Sequence, residues 1–203
     1  MSIVKKIAIL DYGMGNIFKI KQAVEYNKFA CSIIVNFKNL DQFDGLILPG
    51  VGSFAAAMKK LNSLNAKKII KKFIKNKKIL GICLGMQLLL DKGEEIKPTK
   101  GLGLIPGKVV RLPKNMKPHV GWNITTIDNQ IKYKNKINNK NYFYFTHQFV
   151  AKPKKEHIYG KTIFKDVEIV SIIKNKNVYG VQFHPENSTK DGAKLIGTIF
   201  NDH

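Results

Sequence analysis

Four short apolar runs constrain the fold of this chain: Ile7-Ala8-Ile9-Leu10, Cys31-Ser32-Ile33-Ile34-Val35, Gly45-Leu46-Ile47-Leu48 and Ile79-Leu80-Gly81-Ile82. Each is too short for a stable helix and largely lacks polar alternation, so each reads as a strand in a sheet covered on both faces. Helical patterns separate them: one through Ile17, Ile20, Val24 and Phe29, then two over 54–61 and 66–74, broken at Asn62-Ser63-Leu64-Asn65. In the last of these, Ile69, Ile70, Phe73 and Ile74 share one face, and Lys67, Lys68, Lys71, Lys72 and Lys75 lie on the other as a solvated surface. Strands alternating with helices predict a parallel sheet with helices on both sides, an α/β fold.

Beyond residue 100 the pattern changes. Residues 101–112, 142–150, 157–164, 167–174 and 178–183 read as strands, Asn175-Lys176-Asn177 as a hairpin turn, and 191–200 as a closing helix. The lysine- and asparagine-rich stretch 129–141 reads as an exposed loop or insertion, and no linker divides the 203 residues, so a single domain over 1–203 is expected.

Gly81-Ile82-Cys83-Leu84-Gly85-Met86-Gln87 follows one of the apolar strands and precedes Leu88-Leu89-Leu90. Strand, sharp glycine-flanked turn, helix is the layout that exposes a nucleophile at a sheet edge. A thiol there meets the positive end of the helix dipole, which favours thiolate. The other reading of Cys83 is a small core residue beside packing glycines. A catalytic thiol needs a base and a group to orient it. Gly180-Val181-Gln182-Phe183-His184-Pro185-Glu186 ends the last strand: His184 can carry the proton and Glu186 can fix the imidazole tautomer. Pro49-Gly50-Val51-Gly52 ends another strand, and its backbone N–H groups, with that of Leu84, can form an oxyanion hole. Strand C-termini are where open α/β sheets place their chemistry. Gly13-Met14-Gly15 does not complete a dinucleotide fingerprint, because Phe18 stands where the third glycine would be.

Composition narrows the function classes. The formal charge of +21 raises nucleic acid as a partner, but Arg111 is the single arginine and the lysines are spread along the chain, so no nucleic-acid function is expected. No apolar run approaches the ~20 residues of a membrane span. Met1-Ser2-Ile3-Val4-Lys5-Lys6 lacks a long leader-like apolar stretch. Cys31 and Cys83 make no disulfide framework and no zinc-ligand spacing, so neither metal nor cofactor is expected, and a reducing cytoplasm is the expected setting.

Taken together these motifs resemble the class I, triad-type glutamine amidotransferases, and within them the HisH family of glutaminase subunits of imidazole glycerol phosphate synthase. The resemblance covers nearly the whole chain. It rests on Asp11-Tyr12-Gly13-Met14-Gly15-Asn16, Pro49-Gly50-Val51-Gly52-Ser53-Phe54, the Cys83 elbow, Glu94-Glu95, Gly101-Leu102-Gly103-Leu104-Ile105-Pro106-Gly107, Pro118-His119-Val120-Gly121-Trp122-Asn123 and the His184 segment. It implies a flavodoxin-like three-layer sandwich with a mostly parallel sheet plus a strand-rich second half. It implies a Cys83–His184–Glu186 triad that hydrolyses L-glutamine, with Gln87 and Glu95 holding the substrate's amino-acid end and Gly50, Val51 and Gly52 in an oxyanion strand. It also implies a heterodimer with a HisF-type (β/α)8-barrel cyclase that receives the ammonia, with Asn16, Trp122 and Asn123 on the partner side.

Three segments depart from the family pattern. His147-Gln148-Phe149 stands where the family has His-Ser-Tyr or His-Thr-Tyr beside the glutamine site, Asn187 replaces a lysine that pairs with an acidic residue of the cyclase, and Asp91-Lys92-Gly93 replaces a Glu/Ser run before Glu94-Glu95. Such changes raise a second expectation: a paralogue donating ammonia to a sugar amidotransferase in surface-glycan or flagellin-glycan synthesis.

Overall fold

The computed structural model describes residues 4–95, 97–128 and 140–201. The first half follows the predicted alternation: β1 (Lys6–Leu10), α1 (Ile17–Glu25), β2 (Ala30–Ile34), β3 (Gly45–Leu48), α2 (Phe54–Ser63), α3 (Ala66–Phe73) and β4 (Lys78–Ile82). The apolar residues of β1, β3 and β4 are buried, whereas β2 is largely exposed because it lies at the sheet edge. The α3 lysines face solvent, and Ile70 and Phe73 face the core.

The chain continues through α4 (Leu84–Leu88), β5 (Leu90–Glu94), β6 (Pro98–Lys100), β7 (Ile105–Arg111), β8 (His119–Ile127), β9 (Lys140–His147), β10 (Phe149–Pro153), β11 (Ile158–Phe164), β12 (Val167–Asn175), β13 (Val178–Val181) and α5 (Lys190–Asn201). A nine-stranded sheet has the order β2-β1-β3-β4-β13-β12-β11-β8-β9, and a four-stranded sheet the order β10-β7-β5-β6. Strands β2, β1, β3, β4 and β13 run parallel, while β12, β11, β8 and β9 extend the large sheet antiparallel. The sheet is therefore parallel in one half only. Apolar side chains of α1 and α5 pack on one face, those of α2, α3 and α4 on the other.

Four boundaries differ from the sequence reading. The helix after Cys83 stops at Leu88, and Leu90 already opens β5. Leu88, Leu89 and Leu90 are all fully buried, so their pattern carries no period to separate helix from strand. Strands β5, β6 and β8 are absent from that reading, and the predicted 101–112 strand begins only at Ile105. The predicted 142–150 strand is two strands in two sheets: β9 pairs with β8 up to His147, and β10 pairs with β7 from Phe149. Gln148 is the crossing point. The expected loop over 129–141 lies mostly outside the described residues.

The topology gathers the motifs. Because β1, β3, β4 and β13 are parallel, the segments after them (11–16, 49–53, 83 and 182–187) emerge at one edge of the sheet.

Candidate active site

Cys83 sits at that edge with φ +54° and ψ −111°, a conformation a non-glycine residue adopts only when its surroundings impose it. Two glycines make the turn possible. A Cβ on Gly81 would lie 2.5 Å from the Gly85 carbonyl oxygen, and one on Gly85 would overlap the Leu48 carbonyl oxygen. The elbow is thus pressed against β3 backbone to backbone. Gly50 joins the same contact, since a Cβ there would lie 2.8 Å from Gly85 N. On its far side the 49–52 segment is held by Tyr12, whose buried hydroxyl donates to the Pro49 carbonyl at 2.7 Å.

His184 is placed by backbone pairing and packing. Its N–H donates to Tyr144 O at 2.8 Å, and Ser188 Oγ, which accepts from Tyr144 N at 3.0 Å, donates to His184 O at 2.7 Å. Phe183 stacks on Phe143 with ring centroids 3.9 Å apart. His184 Nδ1 donates to Glu186 Oε1 at 2.7 Å, and both side chains are buried, at 6% and 1% exposure. Nε2 is left for the thiol. It has no partner in hydrogen-bonding geometry among the described residues. Burial by itself would lower the His184 pKa. The neighbouring Cys83 and the hydrogen-bonded Glu186 carboxylate outweigh it and raise the pKa to about 10.

A cavity of about 260 Å³ opens over Cys83. All the predicted substrate-side residues except Gly50 line it (Val51, Gly52, Leu84, Gln87, Glu95, His147, Gln148 and Phe149), and Thr146 is the addition. Gly50 lies behind, packed on the elbow. Glu95 Oε2 accepts from Phe54 N at 2.9 Å at the start of α2, and burial raises its pKa against that hydrogen bond. Gln87 Nε2 is committed to protein acceptors, Phe149 O at 2.9 Å and Gln182 Oε1 at 3.1 Å, so any substrate contact falls to Oε1.

Gln182 is the residue sequence reasoning passed over. Its side chain is fully buried, and its Nε2 lies 3.8 Å from Cys83 Sγ. A polar residue two positions before His184 on a buried strand was the available signal.

The residues expected on a partner side fall in two linked groups, Asn16 with Asn187 around Lys19 and Trp122 with Asn123 on β8. Trp122 is 51% exposed, its ring against Tyr144. Asn16 caps α1 by accepting from Lys19 N. Asn187 Oδ1 accepts from Lys19 Nζ at 3.0 Å, so a cation stands beside Asn187 although it comes from α1. The half-buried Asn123 side chain reaches across to β11, donating to Ile163 O at 2.9 Å.

A strained elbow thiol and glycine-rich backbone lining one cavity, with a buried imidazole oriented by a carboxylate, can carry out acyl transfer from an amide. The family model described as glutamine amidotransferase class-I matches residues 8–201, and the chain belongs to that family. It is 42% identical to the imidazole glycerol phosphate synthase subunit HisH of Caldanaerobacter subterraneus subsp. tengcongensis, over 94% of this chain and 95% of that one. It is 40% identical to the subunit HisH 1 of Methanococcus maripaludis, over 94% and 96%. Among solved structures, PurLQS from Thermotoga maritima superposes with a TM-score of 0.75 at 23% identity, covering 98% of this chain and 99% of that one. A putative GMP synthase subunit from Thermoplasma acidophilum gives 0.72 at 19%, covering 98% and 94%. At these identities the structures bear on the fold, which is that of a class I amidotransferase.

Proposed function

We propose that this chain, as one domain over 1–203, is the glutaminase subunit of an imidazole glycerol phosphate synthase. With the Cys83 proton held on His184, the sulfur attacks the side-chain amide carbon of L-glutamine. Backbone N–H groups of Val51, Gly52 and Leu84 meet the developing oxyanion. His184 Nε2 returns the proton to the departing nitrogen, and ammonia leaves. Water, deprotonated by His184, cleaves the thioester to glutamate and restores the thiol. Glu186 holds the imidazole through Nδ1, Glu95 receives the substrate's ammonium, and Gln87 offers Oε1. The chemistry uses neither metal nor cofactor. The observation that carries this reading is the buried Glu186–His184 pair beside a strained Cys83 at one cavity.

The ammonia passes to a HisF-type (β/α)8-barrel cyclase in a cytoplasmic heterodimer. Val120, Trp122 and Tyr142 are exposed on the two paired strands β8 and β9 and form a surface suited to that partner. The sugar-amidotransferase alternative rested on Asn187 and Gln148-Phe149. Relatives at 37–42% identity along most of the chain bear the HisH name and favour the histidine pathway.

Glutamate release by wild type and Cys83→Ala, each with the cyclase present, tests the chemistry; equal rates would refute it. Growth without histidine, restored in a strain lacking its glutaminase subunit when this chain is supplied with its own cyclase, tests the acceptor. No growth despite soluble expression of both would return the reading to the sugar acceptor.

A further inference from the structure

Two buried imidazoles outside the Cys83–His184–Glu186 cluster lie in contact. His119 on β8 and His147 at the end of β9 are 1% and 8% exposed, and His119 Nδ1 stands 3.1 Å from His147 Nε2. Their protons can be assigned by elimination. Burial pushes the pKa of His119 down to about 4; burial, helped by the neighbouring His119, pushes that of His147 down to about 3, so both rings are neutral near pH 7. His147 Nδ1 lies 3.0 Å from the Phe149 carbonyl oxygen, which can only accept, so Nδ1 carries the proton and Nε2 is bare. His119 Nδ1 must then donate to it, which leaves His119 Nε2 as an acceptor facing Asn123 Nδ2 at 3.4 Å. The Asn123 amide has one workable orientation: Oδ1 accepts from Ile124 N at 2.7 Å and Nδ2 donates to Ile163 O at 2.9 Å. Every proton along the line points toward Phe149. The His119 ring is held between Phe145 and Phe164, at centroid distances of 4.4 and 4.1 Å.

The Phe149 carbonyl is where this line meets the cavity. It also accepts from Gln87 Nε2, whose nitrogen donates to Gln182 Oε1, leaving Gln182 Nε2 toward Cys83 Sγ. Phe149 follows the crossing point at Gln148, and both line the cavity wall. A strand that changes sheets beside a binding site needs something to hold it in place.

We propose that Asn123, His119 and His147 form a one-way hydrogen-bond relay that fixes the Phe149 carbonyl and, through it, the Gln87 and Gln182 side chains beside Cys83. His119 and His147 are positioning residues: they set the wall that receives glutamine and exchange no proton with it. The role rests on the glutaminase reading, whereas the tautomers do not. Both rings take the Nδ1–H form, the one free histidine in water favours less.

Long-range proton–nitrogen correlation spectra of the full-length, histidine-labelled chain near pH 7 test the assignment. Both rings are expected as Nδ1–H; an Nε2–H form at His147 would overturn the relay. Glutamate release by the complex tests the role. His119→Leu removes the donor and leaves His147 Nε2 unpaired, with an expected rise in KM for glutamine of about 5- to 20-fold and kcat within about twofold. His119→Asn, whose amide nitrogen reaches the position of Nδ1, is expected to restore most of that loss. An unchanged KM in His119→Leu, or no rescue by Asn, would overturn the positioning role. Should His119→Leu fail to fold, the wild-type spectra still decide the relay. Should the wild-type complex release no glutamate, the function reading falls while those spectra stand.

Discussion

Replacing Glu186 with glutamine separates the charge at the base of the site from its shape. The side chain is 1% exposed and its Oε1 lies 2.7 Å from His184 Nδ1, so the Glu186→Gln variant can offer an oxygen in the same place without the negative charge. A hydrogen bond to a charged group is worth roughly 1.5–3 kcal/mol and a neutral one about 0.5–1.5. The imidazolium therefore loses about 1–2 kcal/mol of stabilisation relative to wild type. That loss falls on thioester hydrolysis, where His184, having given its proton to ammonia, takes one from water and becomes charged again, so kcat for glutamate release drops about 5- to 30-fold, while KM, set at the other end of the cavity, stays within about twofold. Stability supplies a second readout. The His184 pKa is raised from 6.5 to about 10, so its contribution to folding is fully present below pH 6.5 and is lost as pH rises through 10. Wild type thus loses stability relative to Glu186→Gln as pH climbs toward 10. The assay is steady-state glutamate release by the complex, with melting curves of both proteins across that range. An unchanged kcat, or a stability difference flat in pH, would refute the role assigned to Glu186.

Gly85→Ala drives a methyl group into the Leu48 carbonyl, backbone against backbone; about 3 kcal/mol is lost and the melting temperature falls by about 6–12 °C, and a melt within about 2 °C of wild type would contradict this packing. His119 and His147 are held neutral below their ordinary pKa of 6.5, so stability present above pH 6.5 is lost as pH falls toward 4 and then 3, at up to about 1.4 kcal/mol per pH unit for each ring. Denaturant titrations between pH 7 and 4 read this slope, and His119→Leu should flatten it. Trp122→Ala leaves the melting curve within about 0.5 kcal/mol of wild type and weakens cyclase binding about 30-fold, measured by calorimetry; unchanged affinity would move the partner surface elsewhere.

The α/β class and the strand-to-turn transitions at Pro49, Cys83 and His184 were legible because they are local. A glycine between a buried strand and a helix states its own reason: there is no room for a Cβ, as Gly81 and Gly85 show. The antiparallel half was harder to read. In the separate four-stranded sheet, β6 has only three residues and β5 carries Asp91, Lys92 and Gly93; in the large sheet, Tyr142-Phe143-Tyr144-Phe145 runs toward Phe149 with no visible break, although the chain changes sheets at Gln148. Alternation records which side of a strand is buried, not which sheet buries it.

The same division holds within the site. By itself the sequence singled out the residues proposed to bear the chemistry, Cys83, His184 and Glu186, because each lies in a short segment whose residue types have few other joint uses. Only the tertiary structure decided how they are served. Gln182 reaches the Cys83 sulfur across 99 positions, His119 meets His147 across 28, and Lys19 finds Asn187 across 168. Those partnerships arise from strand order and register, which bring distant polar groups into one low-dielectric interior where each must find a partner. Spacing along the chain holds no record of that requirement.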